Sequence, residues 1–262
     1  MLKNINTFKI ITLIIITFIF IWGSLKAECN STESDNNLYS IQKFEYHKEN
    51  ININLKYPQI KNNVKEFNII NQQIMKSMLT LHINYKDYNV KEFSDINSFI
   101  QGIKLYLHEE NLSGLEYSSE CEVIYSSNNI VTTKSSNYEM VIHAANGVNT
   151  LIYQNFDLQT GKKIVLNDCF AKSNWLQLEK IGKDYFIKKH KDNLKILDTK
   201  FLDKFYLPDN FGIKVDGIDF IYQQYEIGPR NIGMPDFLLP NEDIEKLIDK
   251  NSLLYQYLYK NK

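Results

Sequence analysis

The sequence predicts an α+β fold, an antiparallel β-sheet with hairpins packed against several α-helices. Three observations carry this reading. Apolar residues alternate in some stretches and recur every three or four residues in others, the periods of strand and helix. The alternating stretches follow one another across short turns, while the helical stretches occur in separate runs, so the βαβ order of a parallel sheet is missing. The chain is also rich in Tyr (17) and Phe (15), residues that favour strands and aromatic cores.

The elements follow in order. Residues 28–40 are small and polar and read as a flexible lead-in. "YSIQKFEYHKENININLKYPQI" alternates through Ile41, Phe44 and Tyr46 and again through Ile51, Ile53, Leu55 and Tyr57, which predicts two strands around a Glu49-Asn50 turn. Val64, Phe67, Ile70, Ile74, Met78 and Leu81 then keep a helical spacing. A second helix is expected from Ser94, as N-cap, to Gly114, as stop. "CEVIYSSNNIVTTKSSNYEMVIHA" reads as two strands around Asn128-Asn129, and "NTLIYQNFDLQTGKKIVL" as a hairpin turning at Gln159-Thr160-Gly161. A helix capped by Ser173 presents Trp175, Leu178, Ile181, Tyr185 and Phe186 on one face. A hairpin with an Asp216-Gly217 turn follows, and its second strand is expected to run through Tyr222–Ile227. The last helix is expected to start at a capping Asn241, with acids in its first turn, and to continue into a helical tail over 251–262.

The chain of 262 residues has 44% hydrophobic and 23% charged residues, ordinary values for a globular protein with a real core. Lys is abundant and Arg occurs once, at Arg230, a bias of codon usage rather than a nucleic-acid signal. No basic cluster interleaved with aromatics appears, which argues against a nucleic-acid partner. Lys3 and Lys9 precede an apolar run, Ile10–Trp22, of signal-peptide length. Residues 1–27 therefore read as a signal peptide cleaved after Ala27, with an uncleaved membrane anchor as the alternative. Cys29 also raises a lipoprotein reading, against which stands Glu28 directly before it. Either way the body is expected outside the cytoplasm, periplasmic or extracellular. Cleavage removes three lysines and no acid, taking the formal charge from −1 to −4, a surface suited to a basic protein partner. In an oxidising compartment the three cysteines allow one disulfide, with Cys121–Cys169 as the first choice and isolated buried thiols as the rival.

Two blocks carry a family resemblance. "NFDLQTGKKIVLNDCF" and "FIYQQYEIGPRNIGMPDFLLPNEDIEKLI" resemble the DUF3298 family, the second through a Tyr-Glu-Ile motif followed by proline, glycine and a proline leading into the last helix. "KYPQIKNNVKEFNIINQQI" is similar to the partner segment DUF4163, also called PdaC-like. The resemblance divides the exported chain into a DUF4163-like part over 41–120 and a DUF3298-like part over 121–250. It implies an extracytoplasmic α+β module of the RsiV type, which binds lysozyme, or of the kind that precedes a peptidoglycan deacetylase domain. The chain has neither a sigma-binding part nor the metal motif of a deacetylase, so the stand-alone module is what the resemblance implies. It departs from the family at "HAANGVNT" (143–150) and at Arg230, where an aromatic is common.

Chemistry leaves few candidates. The Ser40-Ile-Gln-Lys43 match to Ser-x-x-Lys lies on an expected strand without companion motifs, and there is no Gly-x-Ser-x-Gly elbow. The five histidines are scattered, and no cofactor or metal is expected. Asp157, Asp168 and Glu226 are the carboxylates a glycan hydrolase would use. Each also has a structural reading: Asp157 and Asp168 as turn or cap acceptors, Glu226 on an alternating strand between Tyr225 and Ile227. Arg230 suits a bidentate carboxylate contact or aromatic stacking, within the fold or with a partner. The expected role is a non-enzymatic binding module for a lysozyme-like envelope protein or peptidoglycan. Its binding residues are Tyr225, Glu226, Arg230, His143 and Asn146. A glycan-modifying enzyme and a structural envelope protein are the alternatives. Export with cleavage predicts a product whose intact mass lacks residues 1–27; a full-length mass in the membrane fraction would mean the anchor.

Overall fold

The computed structural model describes residues 38–61, 64–84, 89–197 and 199–260. In chain order the strands are β1 Tyr39–Lys48, β2 Ile51–Ile60, β3 Thr80–Asn84, β4 Asn89–Glu92, β5 Leu115–Ser126, β6 Ile130–Val141, β7 Val148–Asp157, β8 Lys163–Ile164, β9 Phe211–Ile213, β10 Gly217–Ile221 and β11 Asp236–Pro240. The α-helices are α1 Lys65–Met78, α2 Ile96–Glu109, α3 Leu166–Cys169, α4 Trp175–His190, α5 Thr199–Asp203, α6 Asn241–Ile244 and α7 Leu253–Tyr255. A six-stranded sheet runs β1-β2-β5-β6-β7-β8, a three-stranded sheet β11-β10-β9, and β3 pairs with β4. All pairings are antiparallel except β2 with β5. The residues between those two parallel strands include α1 and α2, the long crossover such a pair requires. The fold is α+β, as expected.

The six-stranded sheet has a core on each side. On one face Ile51, Ile53, Leu55, Leu115, Tyr117 and Cys121 meet Ile70, Ile74 and Met78 of α1 and Phe99 and Ile103 of α2. On the other face, towards β7, lies a second core of Phe186, Phe201, Phe211, Phe220, Tyr222 and Phe237. Adjacent residues of β6 divide between them, Val131 to the first core and Ile130 to the second, as strand alternation demands. A register shift between Val123 and Tyr125 turns Tyr125 across to the second core.

Polar groups fix both contacts. The C-terminal carbonyls of α1, left open by the helix itself, are taken by the sheet: Tyr117 donates its hydroxyl to Met78 O at 2.6 Å and Asn137 Nδ2 donates to Ser77 O at 2.8 Å. Asn137 Oδ1 in turn accepts from Ser119 at 2.6 Å, and Glu139 Oε2 accepts the His82 backbone N–H at 3.0 Å. On the opposite face Asn155 acts as a piece of strand. Its Nδ2 donates to Phe211 O and its Oδ1 accepts from Ile213 N, both at 2.8 Å, while Thr132 Oγ1 donates to the same Oδ1 at 3.0 Å. Beyond β8, which pairs only with Asn155 and Phe156, side-chain amides cover β7. Asn210 bonds Tyr153 N and Leu151 O at 2.8 and 2.7 Å. Gln223 bonds Leu151 O and N at 2.6 and 3.2 Å.

Several local expectations change. Asp95, not Ser94, caps α2, accepting from Ser98 N at 2.9 Å; the aspartate is one residue closer to the first helical turn. That helix ends at Glu109, and Gly114 instead enters β5, where a Cβ would meet Asn50 O. Ser173 lies in a 3-10 turn and does not cap α4. Tyr222–Ile227 is not strand: β10 stops at Ile221 and the chain turns over Gln224–Glu226. The missed strand is β11, which follows the prolines and pairs with β10 without a shift. The last helix is broken. Pro240 holds the N-cap position, Asn241 is the first helical residue, and Ser252 caps a separate α7 by accepting from Tyr255 N at 3.1 Å. The helix breaks because Ile248 leaves it to bridge Phe170. The 120/121 boundary falls inside β5, which pairs on both sides. Cys121 and Cys169 are free thiols in different cores, so the pairing between them is not made. Residues 1–27 and Cys29 lie outside the described residues. Among the described residues, no helix is long and apolar enough to cross a membrane.

Asn155→Ala would leave two buried backbone groups of β9 without partners, and each such group costs about 1–3 kcal/mol. Urea denaturation should therefore show a loss of about 3 kcal/mol. Burial pushes the Cys121 thiol up to about 11 and raises Cys169 further, so neither is a thiolate at neutral pH. Thiol labelling at pH 7 should spare both in the native protein and modify both in denaturant.

Candidate functional site

All five expected binding residues sit in two loops that the fold joins. The first loop follows β6. Ala144 N donates to Val141 O at 2.9 Å, closing a turn whose third residue, His143, is held at φ +72°. The second loop follows β10, where Glu226 N donates to Gln223 O at 3.1 Å and the third residue, Tyr225, is held at φ +70°. Both positions favour glycine or asparagine, and a bulky residue there carries strain of about 1–3 kcal/mol. Neither side chain is spent on the core: His143 and Tyr225 are exposed, as are Asn146 and Glu226.

Arg230 is the link. It starts a 3-10 turn behind Pro229, and its Nη2 donates to Gly147 O at 3.0 Å across 83 residues of sequence. Gly147 is needed for that approach, because a Cβ would lie 2.4 Å from the Tyr138 ring. Half-buried Arg230 thus has an internal task, binding one loop to the other at its backbone. The bond uses one guanidinium N–H, and not the carboxylate or ring foreseen in the sequence. Gln223, at the root of the second loop, is pinned to β7 through Leu151, so both loops are fixed to the same end of the large sheet.

Glu226 lies in the turn and is engaged on both oxygens. Oε2 accepts from Gln223 N at 2.7 Å and Oε1 from the Tyr206 hydroxyl at 3.0 Å. Burial and the adjacent Glu226 charge hold Tyr206 protonated, well above the usual phenol range. Tyr206, 40% exposed, was missed in the sequence reading; it stands beside the turn that carries Tyr225, itself 43% exposed. The other carboxylates serve turns elsewhere. Asp157 accepts from Gln159 N at 2.8 Å and from Thr160 Oγ1 at 2.6 Å, ahead of Gly161 at φ +70°. Asp168 Oδ2 accepts from Val165 N at 3.1 Å at the start of α3. The structure ties Asp157, Asp168 and Glu226 each into its own turn rather than bringing them to one cleft. A groove of about 480 Å³ between α1 and the start of α2 is lined by Gln59, Asn71 and Met75 among others, and by none of the expected binding residues.

Comparison with known proteins places these features in a family context. None of the curated proteins compared with the chain matches it. In fold it is similar to the crystal structure of a DUF3298 family member from Bacteroides fragilis, with a TM-score of 0.60 and 14% identity over 87% of this chain and 100% of that one. It is similar also to a DUF3298 family protein from Pseudomonas aeruginosa, with a TM-score of 0.61 and 14% identity over 83% of this chain and 96% of that one. The match to a family model is narrower than the expected 121–250. It begins at Asp168 and ends at Glu242, so it takes in α4, the three-stranded sheet and the Tyr225–Arg230 loop and leaves out β5 to β8. Residues 168–242 match the family described as a protein of unknown function, DUF3298, and the chain as a whole is similar in fold to structures of that family.

Proposed function

We propose that this chain is a non-enzymatic binding module of the cell envelope, exported through its N-terminal segment, with the joined loops at 143–147 and 222–233 as its contact surface. One observation carries the reading. Two large side chains, His143 and Tyr225, are held exposed in backbone conformations that favour glycine, in loops that Arg230 fastens together. Such strain persists where the exposed group has a task and the surroundings over-determine its position. Rigid aromatics lose little entropy on binding, and a fixed loop pair lowers that cost further. The partner suggested by an acidic exported body is a basic envelope protein of the lysozyme type, with peptidoglycan as the other ligand. The DUF4163-like, PdaC-type character of residues 41–120 belongs to the same proposal. The turn hydrogen bonds of Asp157, Asp168 and Glu226 favour structural roles for these acids over general acid or base chemistry.

Biosensor measurements with immobilised exported protein should detect lysozyme binding that weakens with salt. Tyr225→Ala and Arg230→Ala should each weaken it about tenfold, the size of a moderate interface hot spot. Peptidoglycan cleavage or deacetylation that is lost in Glu226→Gln would replace this reading with an enzymatic one. Relief of backbone strain supplies a separate check: Tyr225→Gly should raise stability by about 1 kcal/mol in urea denaturation while reducing binding.

A further inference from the structure

Among the described residues, the large sheet ends on a strand whose outer side is open. Of the described strands β1 is terminal in the sheet, with β2 as its one partner. Its ten residues keep one register throughout and contain neither proline nor glycine. Natural edge strands are usually blunted by shortness, proline, a bulge or charged side chains, because their free N–H and C=O groups template pairing with another chain. Of these devices β1 has only charge, and it is longer than the usual five or six residues.

Those charges are ordered so that they would repel most pairings and complement one, the strand's own. Ile41, Lys43, Glu45 and His47 are exposed on the outer face, while Gln42, Phe44 and Tyr46 are half-buried on the inner face. Antiparallel pairing of two copies of β1 about Phe44 sets Lys43 opposite Glu45 of the second copy, twice by symmetry. The same register brings Ile41 opposite His47 and Phe44 opposite Phe44, each residue meeting one from its own face. Moving the centre by one residue either way sets Lys43 against Lys43, or Glu45 against Glu45, and like charges directly opposite are unfavourable. We infer that the chain forms a two-fold dimer by antiparallel β1–β1 pairing centred on Phe44, extending the sheet across both copies. An interface of this kind is isologous: the same strand serves both sides, and the contact closes at two subunits.

Sedimentation of the full chain over a range of concentrations tests this. Wild type should associate to a dimer and no further. Lys43→Glu sets acids against acids and Glu45→Lys sets bases against bases, so each alone should raise the dissociation constant about tenfold. An equimolar mixture of the two variants restores opposite charges in both pairs and should form a mixed dimer at the wild-type concentration. A monomer at every concentration overturns the proposal. So does association that neither substitution weakens, or a mixture that fails to restore it. Hydrogen exchange gives a further check: protection, in a monomeric sample, of the β1 amides that point away from β2 would mean that another part of the chain covers the edge, and would equally overturn the proposal.

Discussion

The arrangement depends on one side chain standing in for backbone. Asn155 projects from β7 and makes the donor–acceptor pair that a neighbouring strand would make with β9, at Phe211 O and Ile213 N. The three-stranded sheet therefore docks on the face of the six-stranded sheet at a fixed position, where apolar contact alone would let the layers slide. Thr132 holds the Asn155 oxygen from the adjacent strand, so both polar atoms of the buried amide are engaged. Asn210 and Gln223 continue the same device along β7. The loop with Tyr225 and Arg230 begins at Gln223, so its position at the sheet end descends from this row of amides.

The same logic governs the other face. The inward side of β6 includes Ser135, Asn137 and Glu139, all buried, which bond Ser77 Oγ, Ser77 O and His82 N in turn. They are tolerated because α1 ends over them with unfilled carbonyls, and because His82 follows close behind. Each core thus pairs a large apolar cluster with a small set of directional bonds. Apolar burial supplies most of the driving force, while the bonds choose one docking among many.

These relations explain what was legible in the sequence. The hairpins β1–β2, β5–β6 and β7–β8 were readable because turn chemistry is local: Glu49-Asn50 at φ +55° and +59°, and Gly161 at +70°. Helices α1 and α4 were readable from their periodicity. The Cys121–Cys169 pairing failed because a sheet with two cores keeps the two thiols apart, which linear spacing does not record. β11 was hidden behind prolines that suggested a corner, and the broken C-terminal helix was hidden because the Phe170–Ile248 bridge is a long-range event. His143, Asn146, Tyr225, Glu226 and Arg230 were all named from the sequence. That Arg230 reaches Gly147 was not visible, since nothing in either segment encodes the other's proximity.

One consequence concerns the unit of inheritance in this fold. The segment that matches the family model begins at Asp168, yet β9 takes its hydrogen bonds from Asn155, and Arg230 binds Gly147. The matched stretch thus takes hydrogen-bond partners from outside its own bounds, in β7 and in the loop before it. What β9 takes from β7 is a side-chain amide, a donor and an acceptor in one group. The boundary of the recognisable segment, at Asp168, therefore differs from the boundary of the packed unit, which reaches back at least to Asn155 and Gly147.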